Sequence, residues 1–139
     1  MATFNKFQSF VEAAAEKVHN LGADTLKVML TNSAPIATNT VKANLTDISA
    51  GNGYTAGGTA ATISSSSQTS GTYKLVLADV VFTASGGSIG PFRYAALYND
   101  TATNKELIGW WDYGSAVTLA SSETFTVDFD ATNGVLTLV

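Results

Sequence analysis

The residues of this chain that could do chemistry are few, and they lack the spacing of a known catalytic centre. His19 is the only histidine, cysteine is absent, and no Gly-x-Ser-x-Gly motif presents a serine nucleophile. A serine triad needs a histidine base held beside its nucleophile. His19 falls instead on the last turn of a predicted helix, where an imidazole is compatible with the helix dipole. We therefore expect a structural role for His19 and no enzymatic activity.

Carboxylates toward the C-terminus are the strongest candidates for a metal site. Asp128 and Asp130 share one face of a predicted strand before a turn at Asn133, and Asp112 could join them from another hairpin. Such oxygen ligands can hold Ca²⁺, but the spacing lacks the glycine and distal glutamate of a calcium loop. Glu106 with Asp112, or Asp128 with Asp130, could also form a glycosidase pair. We expect no metal and no cofactor, with these aspartates solvated or bonded to turn amides.

The glycine-rich segment 86–90 has the composition of a phosphate-binding loop without its context. Pro91 and a predicted strand follow it, and no Lys-Ser or Lys-Thr pair comes next. Phosphate loops place the amides of a helix N-terminus around the anion. The segment therefore predicts a turn.

Composition excludes several classes of partner. The 139 residues carry 7 Lys and Arg against 11 Asp and Glu, and charged residues make up only 13% of the chain. Nucleic-acid binding needs clustered basic side chains that displace counterions, so we expect no nucleic-acid partner. No apolar run approaches the ~20 residues that cross a bilayer, so we expect no membrane partner. The length is that of a single domain, residues 1–139.

Apolar spacing near the N-terminus predicts the helix that carries His19. The apolar seam runs through Phe7, Val11, Ala14, Val18 and Leu21. Steps of three and four residues are typical of an amphipathic α-helix, which we predict over residues 4–21. Its wide apolar stripe should pack on a sheet or a partner. Phe7, Val11 and Val18 are therefore interface candidates.

From residue 24 onward the apolar period changes to two, which predicts strands. The predicted strands are 25–31, 60–67, 72–83, 92–98, 107–111, 123–129 and 135–139. A change of phase at Ala78-Asp79 predicts a bulge or a bend, and Asn133-Gly134 predicts a tight hairpin between the last two strands. This pattern predicts a mainly β fold over residues 24–139, an antiparallel β-sandwich of jelly-roll type.

A long excursion rich in turn residues, residues 32–58, interrupts the strands. Connections of this length are usually functional or disordered. We therefore predict a contact arm, with Tyr54 as an interface candidate.

Aromatic residues dominate the hairpin formed by residues 92–98 and 107–111. Alternation places Phe92, Tyr94, Ala96 and Tyr98 on one face, whereas the adjacent Trp110 and Trp111 must point to opposite faces. At least one large aromatic ring then faces a partner, the helix or a sugar. Trp110 completes the set of interface candidates.

The same hairpin resembles small structural proteins of tailed-bacteriophage virions. The most distinctive segments are Ile89–Tyr94 and Trp111–Gly114, and the likeness covers chiefly residues 51–58 and 85–139. The resemblance is to proteins that decorate or cement the capsid surface. It implies a homotrimer bound to the major capsid protein of a phage head, located on the virion surface and assembled in the host cytoplasm.

A tail or fibre module that binds host-surface glycans is the alternative. It would display an exposed cluster of Trp and Tyr beside carboxylates.

Overall fold

The computed structural model describes residues 2–139 and is mainly β. The strands are β1 (Asn5–Lys6), β2 (Leu26–Thr31), β3 (Thr59–Ala61), β4 (Ile63–Thr69), β5 (Thr72–Leu77), β6 (Val80–Thr83), β7 (Ile89–Asn99), β8 (Leu107–Leu119), β9 (Thr124–Val127) and β10 (Leu136–Leu138). One α-helix, α1 (Phe10–Ala15), and one 3-10 turn (Lys42–Asn44) complete the described elements. No helix in residues 2–139 has the length and apolar character needed to span a membrane.

All strand pairs are antiparallel and fall into three sheets. The strand orders are β1-β8-β7-β2-β3, β10-β5-β4 and β6-β9. The predicted aromatic hairpin is confirmed as β7 and β8, in which Ala95 lies opposite Trp111 and Ala96 opposite Trp110. Both strands continue beyond the predicted bounds. The polar strand β4 lies at a sheet edge, where its serine side chains stay hydrated.

An N-terminal helix is confirmed, but its predicted bounds, residues 4–21, are wrong, because only Phe10–Ala15 are helical. Before it, β1 pairs with β8, and the Phe7 amide donates to the Ile108 carbonyl at 3.2 Å. After it, Lys17 adopts a φ of 66°, which a continuing α-helix does not allow. Non-local strand pairing thus replaces the first helical turns.

The predictions for residues 72–83 and for the last two strands are also corrected. β5 ends at Leu77 and β6 begins at Val80 in another sheet, so residues 72–83 form two strands, and the phase change marks the point where the chain crosses between sheets, not a bulge within one strand. β9 pairs with β6 and β10 pairs with β5, so the last two strands form no hairpin. The Asp130 carboxylate accepts hydrogen bonds from the amides of Thr132 and Asn133, both at 2.8 Å. These bonds fix a wider turn that carries the chain between sheets.

The five-stranded sheet is buried on both faces. The main core, on one face, combines Val28, Leu30 and Leu97 of this sheet with apolar residues of the other two sheets. The second core, on the opposite face, consists of Phe7, Met29, Leu45, Ala96, Tyr98 and Leu107, with Trp110 packed against it. Trp111 packs against the main core, so the prediction that the adjacent tryptophans face opposite ways is confirmed.

The prediction that Phe92, Tyr94, Ala96 and Tyr98 share one face of β7 is only partly confirmed. Ala96 and Tyr98 lie in the second core, but Phe92 lies in the main core. The register of β7 against β8 shifts between Phe92 and Tyr94. Such an irregularity turns the following side chains to the other face.

Residues 32–58 connect β2 to β3 and are fastened to the sheet at several points. The Tyr54 hydroxyl accepts from the Leu30 amide at 3.0 Å and donates to Asp47 Oδ1 at 2.5 Å. The Gly57 amide donates to Asp47 Oδ2 at 2.6 Å, and the Tyr98 hydroxyl donates to the Gly57 carbonyl at 2.6 Å. The excursion therefore contributes to both cores, with Tyr54 in the main core and Leu45 in the second core.

Candidate functional site

An open cleft of about 420 Å³ is lined by residues of β7, β8 and β9. Its aromatic lining consists of Phe92, Tyr94, Trp111, Tyr113 and Phe125, and Arg93 and Asp128 add charge. We call it the aromatic cleft. Apolar clefts with a few oriented polar groups are the usual form of a binding site.

Tyr113 is the most accessible aromatic residue of the cleft, with 58% of its surface exposed. Its ring meets Phe125 edge to face, with 5.4 Å between centroids. Phe125 in turn meets the buried Phe92 edge to face at 4.9 Å. The exposed ring is thus connected to the main core through successive aromatic contacts, which restrict its conformations before any partner binds.

Trp111 forms a second aromatic wall of the cleft. Its ring lies 5.3 Å from Phe4 and 5.4 Å from Phe129, measured between centroids. These contacts hold the indole on the main-core side of β8, whereas the adjacent Trp110 packs on Phe7 at 4.5 Å on the other side. Trp111, rather than Trp110, therefore contributes to the aromatic cleft.

Arg93 is held at the cleft by a bidentate ion pair. Its Nε and Nη2 atoms donate to the two carboxylate oxygens of Asp112 at 2.8 and 3.0 Å. The guanidinium also lies 5.4 Å from the centre of the Tyr94 ring. Arg93 and a further hydrogen bond from the Gly114 amide lower the pKa of Asp112 below its ordinary value. Asp112 is thus a partner that fixes Arg93.

The three candidate metal ligands have separate environments. Asp112 pairs with Arg93, Asp130 accepts hydrogen bonds within the turn before β10, and Asp128 is exposed at the aromatic cleft. Amide hydrogen bonds from Asn133 are the largest cause that lowers the pKa of Asp130. Within residues 2–139, no group of three or more His, Cys, Asp or Glu side chains is arranged to hold a metal ion.

The predicted interface candidates are placed very differently. Phe7 is fully buried and Tyr54 is 3% exposed, so both side chains pack inside the protein. Val11 is 51% exposed on α1, whereas Val18 and Trp110 are half-buried. Among the five candidates, Val11 therefore has the largest fraction of its surface exposed to solvent.

His19 belongs to a buried hydrogen-bond network. It is 7% exposed and stacks on Phe10, with 5.4 Å between ring centroids. Asn99 Nδ2 donates to His19 Nδ1 at 3.1 Å and to Asp24 Oδ2 at 2.7 Å. The network joins the turn after α1 to the end of β7.

Stability is expected to decrease in mild acid because His19 is buried. Burial lowers the pKa of His19 below its ordinary value of 6.5, against the opposing negative charges of Glu106 and Asp24. Neutral His19 therefore contributes its full stabilisation of the folded state above pH 6.5. This contribution is lost as the pH falls through the lower pKa that His19 has in the folded state, because the unfolded chain takes up the proton more readily. Urea unfolding at successive pH values measures this loss.

A His19→Gln variant is the matched control for this pH dependence. Glutamine can accept the hydrogen bond from Asn99 and does not titrate. Just below pH 6.5, the free energy of unfolding of His19→Gln should therefore vary less with pH than that of the wild type. An unchanged slope in this variant would contradict the assignment.

Part of the cleft was accessible to sequence reasoning. The adjacent tryptophans predicted that their rings would face opposite sides of the sheet, which separates Trp111 from Trp110. Tyr113 lies on β8 just beyond the predicted strand. The contribution of Phe125 was missed, since it depends on the pairing of β9 with β6. The bidentate pairing of Arg93 with Asp112 was also missed; its only sequence signal was opposite charge on neighbouring strands of one hairpin.

No protein-family model, curated protein or solved structure matches the chain.

Proposed function

We propose that this protein is a non-enzymatic structural protein of a tailed-phage virion, which binds and stabilises the capsid surface as a decoration or cement subunit. The aromatic cleft is the observation that carries the proposal. It combines the exposed Tyr113 with Trp111 and an arginine already oriented by Asp112. Tyr, Trp and Arg are the residue types that contribute most to protein interfaces. The partner is the major capsid protein of the head.

The organisation of the long connection supports a structural role. Tyr54 and Asp47 tie residues 32–58 to β2, and Leu45 packs into the second core. A connection fastened in this way loses little further entropy when a neighbouring subunit covers it. A subunit that must persist on a particle benefits from this order.

The finer architecture is part of the same proposal. We infer an antiparallel β-sandwich of jelly-roll type. The main core supports this inference, because Val28 and Leu97 of the five-stranded sheet pack there together with Leu75 and Leu136 of the three-stranded sheet. Two sheets that bury their inner faces together are the defining feature of sandwiches.

The proposed assembly is a homotrimer on the virion surface, formed in the host cytoplasm, without nucleic acid or membrane contacts. The net negative charge supports only the absence of nucleic-acid contacts, since acidic residues outnumber basic ones by 11 to 7. Light scattering of the purified protein measures the oligomeric mass directly. A stable monomer would contradict the trimer while leaving capsid binding to be judged on particles.

Tyr113→Ala is expected to reduce binding to phage heads by at least about tenfold, because it removes an exposed hot-spot side chain with little effect on the core. The measurement is co-sedimentation with heads that lack the protein, followed by electron microscopy of occupancy. Equal melting temperatures of variant and wild type establish that folding is intact. Wild-type occupancy of Tyr113→Ala would contradict docking through the aromatic cleft.

The matched control is Ile36→Ala, which removes an exposed apolar side chain from the long connection. Ile36 is 61% exposed, close to the 58% of Tyr113. We expect Ile36→Ala to bind normally. Loss of binding in this variant alone would assign docking to residues 32–58 instead.

A tail or fibre module that binds host-surface glycans is the second candidate. One observation favours it: Trp111 and Tyr113 stand beside Arg93, Asp128 and the ion-paired Asp112. Aromatic rings next to planar charged groups suit sugar rings as well as proteins. A saturable change of tryptophan fluorescence with oligosaccharides, lost in Tyr113→Ala, would favour this candidate.

A further inference from the structure

The aromatic cleft runs along one edge of strand β9. Its lining includes four consecutive residues of this part of the chain, Phe125 to Asp128. Successive side chains of a strand point to opposite faces, so a cleft lined by four residues in a row lies along the edge of the strand. β6 pairs with one edge of β9, and none of its residues, Val80–Thr83, lines the cleft. The cleft therefore lies against the other edge of β9.

Hydrogen bonds beyond both ends of β9 show which of its residues face β6. Before the strand, the Ala84 amide donates to the Glu123 carbonyl at 2.9 Å. After the strand, the Phe129 amide donates to Asp79 Oδ1 at 2.9 Å. Ala84 and Asp79 flank β6 directly, so residues 123 and 129 face it. Because the backbone groups of an antiparallel strand point to alternate edges, the odd-numbered residues of 123–129 all face β6.

The even-numbered residues Thr124, Thr126 and Asp128 turn their backbone amides and carbonyls to the other edge. All three residues are exposed. Within the described chain, residues 2–139, β6 is the only strand paired with β9, so these backbone groups have no strand partner. Such an edge is a template for a further strand.

This edge selects its ligand by the spacing of its hydrogen-bonding groups. An extended polypeptide matches an amide and a carbonyl at every second residue, whereas a helix uses its own backbone groups internally. Three outward-facing residues fit a segment of about five residues. The ligand class is therefore a short extended peptide segment.

One face of an added strand meets the aromatic cleft. Phe125 and Val127 turn their side chains to the main core. A segment beside them places its own inward side chains at the cleft, which Trp111 and Tyr113 also line. Aromatic or large aliphatic side chains are therefore favoured at alternate positions of the segment.

Asp128 determines the charge that suits the other face. It is exposed and takes part in none of the ion pairs among residues 2–139. Arg93, the basic residue of the lining, is already paired with Asp112. A residue opposite Thr126 lies diagonally from Asp128, within reach of a long side chain. Charge complementarity thus favours a lysine or arginine between two apolar residues.

We propose that β9 accepts an extended segment of a partner polypeptide as an added strand, with apolar side chains in the aromatic cleft and a basic side chain beside Asp128. Thr126 then exchanges two backbone hydrogen bonds with the basic residue of the segment. The proposal rests on the proposed function for the identity of the partner and specifies which kind of segment the cleft receives.

An acetylated and amidated peptide, Thr-Phe-Lys-Phe-Thr, tests strand addition without phage heads. We expect saturable binding that protects the amides of Thr124, Thr126 and Asp128 from hydrogen exchange, measured by NMR. The same peptide methylated on the backbone nitrogen of its lysine loses the donor to Thr126 and should bind at least about tenfold more weakly. No binding of the first peptide, equal binding of both, or binding without protection of the Thr126 amide would refute strand addition.

Thr126→Pro removes the outward amide hydrogen and leaves the hydrogen bonds to β6 in place, since proline is tolerated where the N–H of an edge strand faces solvent. We expect it to lose peptide binding. The matched control Thr126→Ala keeps the amide and should bind within about twofold of wild type. Equal binding by Thr126→Pro and wild type would contradict the proposal. If Thr126→Pro does not fold, the exchange measurement on the wild type decides.

The charge of the segment is tested by replacing the peptide lysine with glutamate. This change should weaken binding about two- to fivefold at low salt, as for an exposed ion pair. Asp128→Asn should remove the preference for lysine, whereas Glu12→Gln, at an exposed carboxylate on α1, should retain it. A preference that persists in Asp128→Asn would contradict the role of Asp128.

Phage heads separate this proposal from the decoration role. Binding of the protein to heads without binding of the peptide would refute strand addition and leave the decoration role intact. Binding of the peptide without binding to heads would refute the decoration role and keep the peptide site. Equal occupancy of heads by Thr126→Pro and wild type would refute a capsid segment as the added strand.

Discussion

Replacing Phe7 with alanine is expected to lower the free energy of unfolding by about 3–5 kcal/mol, which is typical of a buried phenylalanine. Phe7 has no exposed surface and packs on Trp110, with 4.5 Å between ring centroids. It also follows β1, so its loss removes one of the side-chain contacts between the N-terminal segment and β8. Urea unfolding at fixed protein concentration measures the change.

Val11→Ala provides the control for Phe7→Ala. Val11 is 51% exposed on α1, so truncation should change the free energy of unfolding by less than about 0.5 kcal/mol. If Phe7 acted mainly at an interface, Phe7→Ala would lower the oligomeric mass while the unfolding of the monomer stayed unchanged. That outcome would contradict the burial of Phe7 in the second core.

The error at the N-terminus explains where periodicity fails. A spacing of three and four residues predicts one helical seam, but Phe7 and Leu21 of that seam reach different cores. Local spacing does not contain the backbone pairing of Asn5 with Trp110. Strands β2 and β7 and the first part of β8, residues 107–111, were predicted because their alternating or continuous apolar patterns follow from burial of the sheet they form. The rest of β8, to Leu119, is mostly exposed and lacks such a pattern.

The residues of the candidate sites could also be predicted only in part from the sequence. Aromatic content identifies the hairpin that carries Trp111 and Tyr113, because large rings next to one another cannot all face one core. Their approach to Phe125 depends on a strand that changes sheets, which no local pattern encodes. A structural role for His19 could be expected from the sequence, but its proximity to Glu106 requires the closure of β7 on β8.

Tyr54 shows how a residue in a turn-rich segment can serve the core. Glycines surround it in the sequence, which indicates an exposed arm. The structure buries its ring near Phe82, with 5.8 Å between centroids, and joins its hydroxyl to Leu30 and Asp47. Burial and the hydrogen bond to Asp47 raise the pKa of Tyr54, so the hydroxyl remains a donor throughout the neutral range.

Tyr54→Phe is expected to lower the free energy of unfolding by about 1–3 kcal/mol, because it removes a hydroxyl from two partners and leaves Asp47 Oδ1 without its donor. Tyr73→Phe, which loses only the bond to the half-buried Ser66, should cost less than about 1 kcal/mol. Urea unfolding compares the two deletions directly. Hydrogen exchange should also accelerate at the Leu30 and Gly57 amides in Tyr54→Phe, since both depend on the same tether. Equal stability of the two variants, with unchanged exchange, would mean that residues 32–58 do not depend on the Tyr54 hydroxyl for their place on the sheet.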